Sequence, residues 1–187
     1  MLKEVTPPKR TVSNANFAIV ASKYNEVYVN SMLRAAKSVL TAAKAKSVHV
    51  VRVPGAFEIP IVAAELVHSE ARSYAAIICL GVILRGATTH AQHIGEAVSD
   101  ALMQIQVAHR VPVIHEVLLL ENKEQAVQRC LNPKNNRGAE AAYTALEMAR
   151  VLAELRSEEK QVSRISIDQF LAKAKVRMPG SDRPHHE

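Results

Sequence analysis

Along the chain, apolar residues fall into two alternating rhythms. Asn16-Phe17-Ala18-Ile19-Val20-Ala21 is a short apolar run ending in polar Ser22-Lys23, which predicts a buried strand. From Glu26 to Lys46, Val29, Met32, Leu33, Ala36, Val39, Leu40 and Ala43 recur every three or four residues, the stripe of an amphipathic helix. Val48 to Val53 predicts a second strand, stopped by Pro54-Gly55, and Pro60 suits the first turn of a helix reaching about Glu70. Tyr74 to Leu80 is almost wholly apolar, as expected of a strand covered on both faces. A helix from Thr89 to Ala108 carries Ile94, Val98, Ala101, Leu102 and Ile105 on one side, and Pro112 opens a fourth strand ending at Leu120. Asn122 and Gln125 resemble a capping box. Gly138 precedes a final helix bearing Ala142, Leu146, Ala149 and Leu152. Strands alternating with helices over short connections predict an α/β protein, a parallel sheet with helices on both faces.

The pattern divides 187 residues into an N-terminal segment 1–13, a domain 14–155 and a C-terminal extension 156–187. In the extension, Ser157 to Arg164 is polar and Ser166 to Val176 reads as a short helix capped by Ser166. Met178-Pro179-Gly180-Ser181-Asp182-Arg183-Pro184 consists of turn and breaker residues and is expected to be mobile. Pro7-Pro8 disfavours strand pairing by the N-terminal segment, because proline lacks the ladder donor.

Composition narrows the class. The longest apolar run, Ala75 to Leu84, falls short of the ~20 residues a membrane helix needs, and the N-terminus lacks the apolar core of a signal peptide. Cys79 and Cys130 are too few to staple the fold or build a cysteine zinc site, so a cytoplasmic protein without bound metal is expected. The net charge of +6 is spread thinly: the two terminal segments hold two-thirds of it. With 4% aromatics and no Trp, a nucleic-acid-binding function is disfavoured.

In an open α/β sheet, ligands lie beyond the carboxyl ends of the strands. Four connections meet there: Lys23-Tyr24-Asn25, Pro54 to Glu58, Gly81 to His90, and Leu120-Glu121-Asn122. The third is the richest. Gly86 allows a tight path, Thr88 and Thr89 suit capping, and the following helix presents unpaired N–H groups to an anion, with Arg85 adding positive charge. His90 begins the helix with an imidazole, a side chain suited to proton transfer; a plain capped turn with an exposed His remains an equal reading. Phe57 reads as stapled into the core with Glu58 favoured by the helix dipole, and Tyr24 as a surface residue or a stacking face. Arg129, Lys134 and Arg137 form a basic group in the last connection, either solvated or facing a phosphate. His49, His68, His93 and His109 have no metal-like partner, and HExxH, GxSxG and Walker motifs are absent.

Five segments together carry a more specific message: Val53-Pro54-Gly55-Ala56-Phe57-Glu58-Ile59-Pro60, Leu80-Gly81-Val82-Ile83-Leu84-Arg85-Gly86-Ala87-Thr88-Thr89-His90, Val111-Pro112-Val113-Ile114, Glu124-Gln125-Ala126 with Arg129, and Arg137-Gly138-Ala139-Glu140-Ala141-Ala142. In this order and spacing, over residues 15–155, the chain resembles the 6,7-dimethyl-8-ribityllumazine synthase family. The resemblance implies a flavodoxin-like three-layer sandwich with a four-stranded sheet in the order 2-1-3-4. It implies condensation of 5-amino-6-(D-ribitylamino)uracil with 3,4-dihydroxy-2-butanone 4-phosphate, the penultimate step of riboflavin biosynthesis, with no cofactor. His90 then matches the proton-transfer histidine and Tyr24 the aromatic that stacks on the pyrimidine. Ala56, Phe57 and Glu58 match the ribityl-binding segment, and Val82, Ile83 and Leu84 the backbone that reads the uracil edge. Ala87 and Thr88 match contacts to the butanone phosphate, and Arg129 the phosphate arginine supplied by a neighbouring subunit. The implied partners are further copies of the chain, in a homopentamer alone or built into a decamer or icosahedral shell, and riboflavin synthase.

The departures gather on the wall expected from the neighbouring subunit. His115-Glu116 stands where the family has Phe-Gly, His115 taking the place of a ring that covers the pyrimidine. Leu119-Leu120 replaces Thr-Thr, and Leu131 to Arg137 replaces a Gly- and Lys-rich loop. A non-catalytic flavin- or lumazine-binding protein, or a shell-forming protein of the same fold, is the alternative.

Overall fold

In the computed structural model, which describes residues 14–69 and 71–176, four parallel strands lie in the order β2-β1-β3-β4. They are β1 (Asn16–Ser22), β2 (Ser47–Val53), β3 (Ala76–Leu84) and β4 (Val113–Leu120). The central pair is buried almost throughout, which is why these two strands read as unbroken apolar runs. Alternate side chains of β1 and β3 feed two cores. Phe17, Ile19, Ile78 and Leu80 pack with Met32 and Leu40 of α1 (Glu26–Ala42) and with Leu146 of α5 (Arg137–Val176). Ala18, Val20, Ile77 and Cys79 pack with Ile59 and Ala63 of α2 (Ile59–Val67) and with Val98 and Leu102 of α3 (His90–His109). Helices therefore cover both faces, and the expected α/β sandwich with order 2-1-3-4 is observed.

Three boundaries differ from expectation. Helix α1 stops at Ala42 because Lys44 turns left-handed (φ 59°), steering the chain so that Lys46 N–H bonds Ala15 C=O before β2. Helix α2 ends at Val67. Strand β3 does not end at Leu80 but runs through Gly81 to Leu84, still paired with β4. Gly81 serves close packing there, since a Cβ would press on Val117 Cγ1 at 3.0 Å and Ile59 Cδ1 at 3.2 Å.

After β4, Asn122 Oδ1 accepts the Gln125 N–H of the short helix α4 (Lys123–Ala126). The reciprocal bond goes from Glu121 N–H to Gln125 Oε1, a variant of the expected box. The helix then widens into one π turn, Val127–Leu131.

The chain divides into two compact units, Met1–Arg150 and Val151–Glu187. In the second, the backbone is helical to Val176, so the separate helix capped by Ser166 is not formed. Glu158, Glu159, Lys160 and Gln161 are all good helix formers, and polarity alone does not break a helix. The Pro7-Pro8 segment and the turn-rich stretch 178–184 lie outside the described residues.

Candidate active site

Where β1 ends, the sheet forks. Ladder pairing of β1 with β3 stops at Ala21 and Leu80, and from Gly81 to Leu84 strand β3 pairs with β4 alone. The chain leaves β1 toward β2 and leaves β3 toward β4, so this fork is the topological switch point at which doubly wound sheets hold ligands. A crevice of about 940 Å³ opens there.

Asn25 shapes the fork. It adopts a left-handed conformation (φ 55°) at the start of α1, and its Nδ2 donates to Val82 C=O at 2.8 Å. The preceding Tyr24 is thereby left 74% exposed at the rim of the crevice. On the β2 side, Gly55 N–H donates to Glu58 Oε2 at 2.8 Å, closing the turn into α2 and fixing the carboxylate against the crevice. Phe57 is not stapled into the core; it is 61% exposed and lines the same space. The turn is too tight to let residue 57 reach the sheet once Ile59 has taken the buried position.

The third wall is the β3–α3 connection. Val82, Ile83, Leu84, Gly86, Thr88 and His90 line the crevice, His90 as the first residue of a 20-residue helix whose positive dipole end opens there. Thr89 occupies the cap position without a side-chain capping bond, and Gly86 has no positive φ, so neither plays its expected part. Arg85 turns away and pairs with Glu121 at 2.9 Å. The connection after β4 thus buttresses the site instead of lining it.

Nine predicted residues therefore meet: Tyr24, Ala56, Phe57, Glu58, Val82, Ile83, Leu84, Thr88 and His90. Ala87 lies in the same connection without lining the crevice. His115 and Arg129 are elsewhere on the chain. His115 is on edge strand β4, exposed, with its Nε2 2.9 Å from Ser99 Oγ of α3, and partial desolvation lowers its pKa. Ser99 Oγ also bonds Gly95 C=O, so the hydroxyl donates there and accepts from the imidazole N–H. Arg129 is exposed on the π turn, in a helical segment and not a loop. Of its two expected basic companions, Arg137 is engaged by Glu116 and Glu140.

Sequence reasoning missed Asn25 and His93. Asn25 gave the signal of a short polar residue able to turn left-handed after a strand; His93 gave only its spacing from His90. The other histidines among the described residues have local partners: His49 Nδ1 meets the Tyr74 hydroxyl at 2.7 Å, and the His68 and His109 rings stand edge to face. Burial pushes both thiols up, Cys130 to about 11, so neither is a ready nucleophile.

A flavodoxin-like sheet with imidazole, carboxylate and aromatic faces converging at its switch point defines an α/β enzyme acting on small molecules. Residues 14–153 match the 6,7-dimethyl-8-ribityllumazine synthase family. A 6,7-dimethyl-8-ribityllumazine synthase of Stenotrophomonas maltophilia (strain R551-3) is 39% identical over 149 residues, 78% of this chain and 94% of the relative. One from Clostridium kluyveri (strain NBRC 12016) is 35% identical over 149 residues, 79% of this chain and 96% of the relative. The chain belongs to the 6,7-dimethyl-8-ribityllumazine synthase family, transferases of riboflavin biosynthesis. Among the described residues no helix is long and apolar enough to cross a membrane.

Proposed function

We propose that the chain condenses 5-amino-6-(D-ribitylamino)uracil with 3,4-dihydroxy-2-butanone 4-phosphate, releasing water, phosphate and 6,7-dimethyl-8-ribityllumazine. The observation that carries this reading is the meeting of the Gly55–Glu58 turn, the free edge of β3 and His90 in one crevice. Tyr24 offers a flat face to the pyrimidine. The backbone of Val82, Ile83 and Leu84 reads its edge, and Ala56, Phe57 and Glu58 take the ribityl chain. With one Glu58 oxygen held by Gly55 N–H, the other is left to accept from hydroxyls. Thr88 and the α3 N-terminus hold the phosphate end.

The chemistry then follows from position. The 5-amino group attacks the ketone carbon and water leaves, giving an imine. Loss of the C3 proton forms the C3–C4 double bond as phosphate departs from C4, and the enol so made returns a proton to C4. The ribitylamino nitrogen closes the ring on C3, whose oxygen leaves as a second water. Alignment of two reactive partners contributes about 7–11 kcal/mol to lowering such barriers, and proton transfer through His90 about 10²–10⁴-fold more.

Arg129 and His115 lie outside the crevice of their own chain, which fits a site completed by a neighbouring copy: Arg129 reaching the phosphate, His115 covering the pyrimidine, within a homopentamer. Exposed apolar side chains on α2 and α3 (Ile61, Met103 and Val107) supply surface for such packing. Mixing the purified chain with both substrates tests the reading. Lumazine absorbance should rise faster than in buffer; equal rates would overturn it.

A further inference from the structure

Two imidazoles line the crevice, and the reaction as written above uses only one. His93 follows His90 by three residues on α3, so the two share a helix face about 4.5 Å apart along the axis. They look onto different parts of the space. His90 stands beside Gly86 and Thr88, at the helix end where the phosphate is held. His93 lies about one turn further along α3 from that end, where the wall continues as Ile94 and Ala97. Both imidazoles are exposed and so free to meet a guest.

The proposed condensation needs protons at two separate stages. In the first, the C3–H bond breaks, its electron pair forms the C3–C4 double bond, and the C4–O bond to phosphate breaks. The proton taken from C3 is matched by one delivered to C4. In the second stage phosphate is gone. The ribitylamino nitrogen forms its bond to C3 and passes its N–H proton to the C3 oxygen. The resulting hydroxyl takes a second proton and leaves as water with the C–O electron pair, and the pyrimidine ring gives up an N–H proton so that the product is neutral. That second exchange belongs to the pyrimidine end of the guest, away from the helix terminus. The apolar Ile94 and Ala97 surface gives no proton donor there. The other titratable groups facing the crevice are already engaged: Glu58 is tied through Oε2 to Gly55 N–H, and Tyr24, exposed at the rim, gives its ring face to the pyrimidine. On α3 itself, Glu96 accepts from Gln92 Nε2 at 2.8 Å, and behind the helix His115 is held by Ser99.

We propose that His93 is a second proton-transfer residue of this crevice, serving the ring-closing dehydration. The inference rests on the condensation reading and adds a role that His90 does not fill. The test uses the full chain, both substrates, and single-turnover kinetics with two separate readouts, inorganic phosphate and lumazine absorbance. In His93→Gln, phosphate release should stay within about twofold of wild type while lumazine formation slows about 10²-fold. His93→Ala should behave alike and regain rate when free imidazole is added, because a side chain needed only for shape is not replaced by a mobile base. Lumazine formation within about twofold of wild type in His93→Gln, or equal slowing of both readouts, would overturn the role. A wild-type chain that makes no lumazine above buffer would instead overturn the condensation reading itself.

Discussion

Arg137 Nε lies 2.6 Å from a carboxylate oxygen of Glu116, a side chain only 4% exposed, so edge strand β4 and the first turn of α5 share an ion pair whose carboxylate is buried. Arg137 also reaches Glu140. Removing one partner of a buried pair leaves the other charge unmatched, which typically costs about 3–5 kcal/mol. Arg137→Met should therefore destabilise the chain by about 3 kcal/mol, the lower bound because Arg137 keeps some solvent contact. Glu116→Gln, which removes the buried charge, should cost less. Urea denaturation of both variants checks the order; Gln more damaging than Met would contradict it.

The same pair sets a pH dependence. Burial pushes the Glu116 carboxyl above its ordinary value, although Arg137 pulls it down. An acid whose folded pKa is raised binds its proton more readily in the native state. Its contribution to stability is therefore full below the unfolded pKa of about 4.3 and is lost as pH rises through the raised value. Glu116→Gln lacks this titration. The stability gap between wild type and Glu116→Gln should narrow as pH climbs from about 4 to about 7. A gap that widens over that range would show the pairing with Arg137 outweighing desolvation.

Two glycines separate stability from function. A Cβ on Gly138, in the first turn of α5, would overlap the backbone carbonyl of Met32 in α1. Backbone cannot yield as a side chain can, so Gly138→Ala should destabilise by about 3 kcal/mol or more, at the upper end of overpacking. A Cβ on Gly86 meets nothing within 4 Å, because the space around it is the crevice. Gly86→Ala should leave the melting temperature unchanged and raise the Michaelis constants. Thermal melts beside steady-state kinetics check both, and an unstable Gly86→Ala with normal kinetics would reverse the assignment.

How much of this was legible follows from what burial does to sequence. Phe17 to Ala21 and Ala76 to Leu80 must be apolar on both faces, so central strands announced themselves. Gly81 misled, because a glycine that makes room for Val117 and Ile59 looks the same in sequence as one that ends a strand. Phe57 misled in the opposite direction: its apolarity suggested core, while the geometry of its turn leaves it exposed. The π turn beneath Arg129 leaves no compositional trace. Nor does the bond from Asn25 to Val82, two residues 57 apart in sequence that the fork alone brings together.

That bond makes its own prediction. Asn25 does two things: it accepts a left-handed backbone and ties the β1–α1 turn to β3. Asn25→Ala loses both, and should cost about 1–2 kcal/mol from the lost hydrogen bond and the strained φ together. Asn25→Gly keeps the backbone freedom and loses only the bond, so it should be the more stable of the two. Both should weaken apparent affinity for the pyrimidine substrate, since the rim that carries Tyr24 is no longer pinned. Equal stabilities would mean that the left-handed turn costs nothing at this site.

His90 and Arg129 should fail differently when removed. In the proposed reaction His90 moves protons, while alignment of the two substrates survives without it. His90→Ala should therefore lower kcat by about 10²-fold or less, leaving a measurable rate and little change in either Michaelis constant. Arg129 is exposed on its π turn, and among the described residues no carboxylate pairs with it, so its guanidinium is free for an anion. Arg129→Ala should raise the Michaelis constant for the butanone phosphate by about tenfold or more, the loss expected for one charge-assisted bond. Arg129→Lys should recover only part of it, because an ammonium lacks the bidentate fork. Since Arg129 lies outside its own crevice, mixing the slowed His90→Ala, Arg129→Ala double-variant chains with wild type tests where it acts. A guanidinium supplied by a neighbour lets mixed assemblies hold fewer fully active sites than the wild-type chains they contain. Activity strictly proportional to the wild-type fraction, in assemblies shown to have exchanged subunits, would place the phosphate anchor within a single chain.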